Sequence, residues 1–153
     1  MTEVLRNDSK QRKVFTSLEQ EAFLGIARAA ATLRDSMEDV LRASDITLTQ
    51  YNVLRILRGA EGGLTRNEIR DRLVNRMPDV TRLLDRMEDA GLVTRIRGSE
   101  DRRCVGTHLT RAGRALVDSL DTPVEAHHKA SLGHMTRVQL RHLIELLAVA
   151  RKA

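Results

Sequence analysis

Residues 65–113 read TRNEIRDRLVNRMPDVTRLLDRMEDAGLVTRIRGSEDRRCVGTHLTRAG. Their order predicts two short helices, a strand, a charged turn, a second strand and a new helix start. That is a helix-turn-helix carrying a β-hairpin wing. The second helix is expected from about Pro78 to Ala90. Pro78 suits the first helical position, where its missing N–H is no loss. Gly91 suits a left-handed stop. Val80, Leu83, Leu84 and Met87 recur at i, i+3, i+4 and i+7 and form one apolar stripe. Thr81, Arg82, Asp85, Arg86 and Glu88 lie off it. A helix this short is marginal alone in water, so the stripe must pack and the opposite face must point outward. Arginine can grip guanine O6 and N7 together, and threonine can meet a thymine methyl or a phosphate. The same charges also make ordinary pairs along a solvated helix, Arg82 with Asp85 or Arg86 with Glu88 or Asp89. The helix alone does not separate these readings.

The flanks add to it. Thr65 to Glu68 matches a capping box, so a helix starts there, with Ile69, Leu73 and Val74 expected inward. Asn75 to Met77 makes the tight connection. After Gly91, residues 92–97 alternate as a strand, with Val93, Arg95 and Arg97 on one face. Residues 98–103 form a polar turn, Cys104 to Leu109 return as the second strand, and Thr110 caps a long helix from near Arg111. A hairpin beside such a helix can reach a minor groove, and narrow minor grooves attract arginine. Arg102 and Arg103 sit at the tip, where Asp101 can pin one of them or cap the turn. An ordinary exposed hairpin tip accounts for the same charges.

Charge distribution bears on the choice. The 153 residues carry a net charge of +5. Residues 65–114 hold twelve of the 22 arginines and no lysine against eight carboxylates, so four of the five excess charges lie in this third of the chain. Such a local excess favours a polyanionic partner. Aromatics are 2% of the chain, too few for the stacking platforms of single-strand and RNA binders, which favours duplex DNA.

Outside this stretch the pattern is helical. Residues 1–14 are expected to be a flexible arm. Leu18, Ala22, Ile26, Ala29, Leu33, Met37 and Val40 mark one helix over about Thr16–Arg42, ended by Ser44 and Asp45. At roughly 40 Å it exceeds what so small a domain needs internally. A further helix, capped by Thr49, runs to about Arg58. Gly59 to Gly63 turns the chain, and Leu64 is a single strand position. Leu116, Leu120 and Val124 continue the helix from Arg111, a break falls at residues 132–135, and Thr136 caps the last helix. Val138, Leu140, Leu143, Ile144, Leu147 and Val149 are too apolar for a lone terminal helix. The expected fold is mainly α (α+β). Residues 46–110 form the winged helix-turn-helix, and 15–45 with 111–153 form a helical dimerisation region.

These residues resemble the MarR family of winged-helix transcriptional regulators. Leu48-Thr49 through Leu57 is similar to its opening helix, with Gln50 earlier than the usual glutamine. Residues 80–87 followed by Gly91-Leu92-Val93 resemble its recognition helix and exit. Asp101-Arg102-Arg103, Leu109-Thr110 and Gly113 resemble its wing signature. The resemblance covers about residues 15–150. It implies a triangular homodimer with the terminal helices at the apex, a palindromic double-stranded DNA operator and often release by a small aromatic or anionic effector, with no bound cofactor. Two recognition helices must then enter major grooves about 34–36 Å apart. The DNA-binding set expected on this basis is Arg66, Arg76, Asp79, Thr81, Arg82, Arg86, Arg97, Arg102 and Arg103, with Asp101 stabilising the wing.

Competing classes carry fewer observations. A winged protein-interaction module that does not bind DNA leaves the local arginine excess unexplained. An enzyme is not expected, because no metal-protease spacing, phosphate loop or nucleophile elbow occurs. His127, His128, His134 and His142 are the residues for a metal site across an interface, although unliganded histidines are commoner. Cys104 is either an oxidant sensor on the wing or a small half-buried residue, and as the only cysteine it excludes an intrachain disulfide. With no membrane span and no apolar signal segment, the cytoplasm is the expected location.

Overall fold

Side-chain caps set most of the helix starts in the computed structural model, which describes residues 15–74, 79–98 and 105–152. The chain divides after Asp35 into two units, and helix α1 (Leu18–Arg42) contributes to both. In the first unit, Ser17 Oγ accepts from the Gln20 amide at 3.1 Å, so α1 starts two residues after the expected Thr16. Leu18, Phe23 and Ile26 are exposed there.

The second unit begins with the last turns of α1, where Met37 and Leu41 are buried. Asp45, at φ 54°, ends the helix in the left-handed region, which a short polar side chain tolerates. Helix α2 (Leu48–Arg58) is capped by Thr47, not Thr49. Thr47 Oγ1 accepts from the Gln50 amide at 3.2 Å, and Gln50 Oε1 accepts from the Thr47 amide at 2.9 Å. This reciprocal pair satisfies two end donors, which Thr49, already inside the helix, cannot do. Helix α3 (Arg66–Arg72) has the expected Thr65–Glu68 capping box. Ile69 and Leu73 are buried, but Val74 is 86% exposed. Leu73 is already extended (φ −68°, ψ 137°), so the helical spacing that would bury Val74 has ended.

Helix α4 (Val80–Asp89) starts later than expected. Asp79 Oδ1 accepts from the Arg82 amide at 3.0 Å and caps the helix. Pro78 and the connection at Asn75 to Met77 lie outside the described residues. Val80, Leu83, Leu84 and Met87 are buried as one stripe. Strands β1 (Val93–Arg97) and β2 (Val105–Leu109) pair antiparallel, Val93 opposite Leu109 and Arg95 opposite Thr107. Leu64 exchanges two backbone hydrogen bonds with Thr107, at 3.0 and 2.7 Å, and so ties the start of the helix-turn-helix to the hairpin.

Gly91 has the expected positive φ, 73°. Thr110 Oγ1 donates to the Gly91 carbonyl at 2.6 Å and accepts from the Gly113 amide at 3.0 Å, capping α5 (Arg111–Ser119). A Cβ on Gly113 would lie 2.0 Å from the Leu92 carbonyl oxygen, so only glycine permits this approach. The single helix expected from Arg111 divides into α5 and α6 (Asp121–Leu132). Pro123 has no N–H for the Ser119 carbonyl and fits only in the first turn of a new helix. Leu120 and Val124 are nevertheless buried as expected. Helix α7 (Arg137–Ala150) has a Thr136–Gln139 capping box and no buried residue.

The core joins Leu41, Leu54, Ile69, Leu84, Met87, Val93 and Val117, all nearly inaccessible, from α1 to α5. Each such side chain stabilises the fold by about 1.5–3 kcal/mol. Among the described residues no helix is long and apolar enough to cross a membrane.

Candidate nucleic-acid interface

Burying the Val80–Met87 stripe leaves Thr81, Arg82, Asp85 and Arg86 exposed on the outer face of α4. The Arg82 side chain is 72% exposed, and its Nε lies 3.3 Å from Asp79 Oδ2. Asp79 thus caps α4 with one oxygen and faces Arg82 with the other. The intrahelical Arg82–Asp85 pair that the sequence permits does not form. Asp85 Oδ1 instead takes Arg95 of β1 at 2.7 Å. Glu88 joins it: Oε1 accepts from the Arg95 amide at 3.1 Å, and Oε2 accepts from Arg95 Nε at 2.9 Å and from its terminal guanidinium N–H. Hydrogen bonding to Arg95 holds the Glu88 carboxyl below its ordinary range, and the Arg95 guanidinium is raised in turn.

Arg66, in the first turn of α3, donates from Nη1 to Thr81 Oγ1 at 2.9 Å. This contact spans the two helices of the helix-turn-helix. A cleft of about 440 Å³ lies where they meet the sheet, lined by Arg66, Thr81, Arg95 and Thr107 among others. Arg97, two positions beyond Arg95 on the same strand face, is exposed. Of the expected set, Arg66 touches Thr81 and Asp79 touches Arg82, while Arg86 and Arg97 are exposed on α4 and β1. Arg76, Asp101, Arg102, Arg103 and Cys104 lie outside the described residues.

The MarR family model matches residues 46–105, which cover the helix-turn-helix and most of the hairpin. The HTH-type transcriptional regulator TtmR of Methylorubrum extorquens is 33% identical over 135 residues, spanning 88% of this chain and 68% of that protein. The chain belongs to the MarR family.

Solved MarR structures agree with the fold. A MarR transcription factor from Planctomyces limnophilus is 39% identical, with a TM-score of 0.67 over 89% of this chain and 99% of that one. A mutant MarR from Escherichia coli complexed with operator DNA is 27% identical, with a TM-score of 0.78 over 88% and 99%. This MarR-family chain is a DNA-binding transcriptional regulator.

Sequence reasoning missed the Arg95 cluster. A signal for it was present: Arg95 shares a strand face with Val93, which is 1% exposed. A charge on the inward side of a strand requires a partner, and Asp85 and Glu88 are one helical turn apart on α4. Among the described residues no three His, Cys, Asp or Glu side chains converge as for a metal ion. His127 instead has its Nε2 3.1 Å from both Ser36 Oγ and Ser131 Oγ.

Proposed function

We propose that the chain is a homodimeric repressor that reads a palindromic operator with α4 and is released by a small anionic or aromatic effector. One observation carries the reading role. Asp85 and Glu88 of α4 are engaged by Arg95, while Arg82 and Arg86 remain exposed. Arg82, Arg86 and Thr81 are the base-reading residues. Arg66 and Arg76 serve phosphates, Arg97 and the wing arginines Arg102 and Arg103 reach flanking DNA, and Asp101 steadies the wing.

Residues 46–110 are the DNA-binding region, and 15–45 with 111–153 the dimerisation region. Val138, Ile144, Leu146 and Val149 of α7 are each more than half exposed, which supports pairing through this helix. A cleft of about 690 Å³ supports the effector response. Arg55, Arg58, His128 and Lys129 line it beside Tyr51 together with Asp121 and Glu125. Arg58 pairs with Asp121 and Lys129 with Glu125, so Arg55, over the Tyr51 ring, is the cation suited to a ring bearing a carboxylate.

Binding of a duplex selected by the wild-type protein from a random pool, measured by fluorescence anisotropy at several salt concentrations, tests the reading. Arg82→Ala abolishes preference for the selected duplex over a scrambled one. Arg102→Ala weakens binding with a shallower salt dependence. Unchanged preference in Arg82→Ala removes α4 from the reading role and favours the protein-interaction alternative.

A further inference from the structure

Glu88 holds Arg95 by backbone and side chain together, and Asp85 holds the same guanidinium from one turn away. These contacts join α4 to β1. Arg95 faces Thr107 of β2, whose backbone is bonded to Leu64 just ahead of α3. One arginine therefore sits at the crossing of the recognition helix, both hairpin strands and the entry to the helix-turn-helix. Two residues further along β1, Arg97 is exposed and, among the described residues, has no ion-pair partner.

We propose that Glu88 and Arg95 form a positioning clamp that fixes β1 against α4 and so sets the offset between Arg97 and the α4 arginines on DNA. This rests on the reading role given to α4. Glu88 acts through Arg95 and touches no DNA. An arginine whose guanidinium is held at Nε and at a terminal nitrogen, and whose own backbone amide is held by the same carboxylate, has little freedom to swing, which is the property a clamp needs.

The clamp and a simple charge effect predict opposite signs for one substitution. Glu88→Gln removes a negative charge beside a polyanion, which by charge alone tightens binding to any duplex. The clamp predicts that Glu88→Gln weakens binding to the duplex selected by the wild-type protein, by about tenfold, the size usual for contacting pairs. Affinity for a scrambled duplex stays equal or rises, and the salt slope is unchanged because no phosphate contact is lost. Arg95→Ala loses a similar factor, and the double variant is no worse than the weaker single one.

Amide exchange of Arg95 supplies a second readout in the free protein. Exchange accelerates in Glu88→Gln while the fold, judged by its thermal transition, persists. Selected-duplex binding by Glu88→Gln that equals or exceeds wild type overturns the clamp, as do additive losses in the double variant. Either result leaves the reading role of Arg82 standing. If the wild-type protein enriches no duplex at all, the proposed function and this inference fall together.

Discussion

Arg58, the last residue of α2, grips Asp121, the first of α6, through two parallel hydrogen bonds of 2.9 Å each. Asp118 of α5 takes a third, also at 2.9 Å. The end of α2 is thereby fastened where α5 gives way to α6. Hydrogen bonding to Arg58 holds the Asp121 carboxyl below its ordinary value of 3.8. A carboxyl whose native pKa is lowered contributes stability that is fully present above its unfolded value and is lost as pH falls through the native one. Thermal unfolding therefore shows Asp121→Asn melting lower than wild type at pH 7, with the difference shrinking below about pH 4. A pH-independent difference would assign the loss to something other than ionisation.

Gly113→Ala is expected to be the costliest glycine-to-alanine change in the hairpin-to-α5 junction. Its Cβ would meet backbone, the Leu92 carbonyl oxygen at 2.0 Å, and not a flexible side chain that can move away. A loss of about 2–3 kcal/mol is expected from such overpacking. Urea unfolding checks it, and a change under 0.5 kcal/mol would mean that α5 can shift off Leu92 freely.

The fold was legible wherever a local rule decided it. Capping chemistry at Thr65, Thr110 and Thr136, the α4 stripe and the left-handed stop at Gly91 all act within a few residues. Two misplacements came from local rules given too little weight. Thr47 and Gln50 stand at capping-box spacing, which outranks the isolated Thr49. Pro123 signals the break that divides α5 from α6. The Arg95 cluster is a different case. Its partners lie seven and ten positions earlier on another element, and only packing of β1 on α4 selects them over the intrahelical pair at Arg82. Arg58 is similar, with partners 60 and 63 positions away.

A charge on the exposed face of α7 should separate the protomers. Ile144 is 66% exposed in the chain, and an interface covering it would bury any substitute there. Ile144→Glu is expected to raise the dimer dissociation constant by at least about a hundredfold, since an unpaired carboxylate is costly in an apolar interface. Sedimentation velocity reads the result, and an undisturbed dimer would exclude this face from pairing.

The effector role proposed for the cleft beside Tyr51 makes a separate prediction. Substituted benzoates are expected to raise the melting temperature of the wild-type protein and to release it from its selected duplex. Arg55 stands 5.7 Å from the centre of the Tyr51 ring and lines the cleft. Arg55→Ala should lose the benzoate response while keeping DNA affinity, because Arg55 lies away from α4. Loss of DNA binding without added benzoate would instead give Arg55 a structural part.

Two reading heads on a symmetric dimer must leave a symmetric mark on their target. The most direct measurement is sequencing of duplexes enriched by the wild-type protein from a random pool, with binding stoichiometry measured on the winner. The expected result is an inverted repeat with half-site centres about 10 base pairs apart, bound by two protomers. A single half-site bound by one protomer, or no enrichment, would contradict the account.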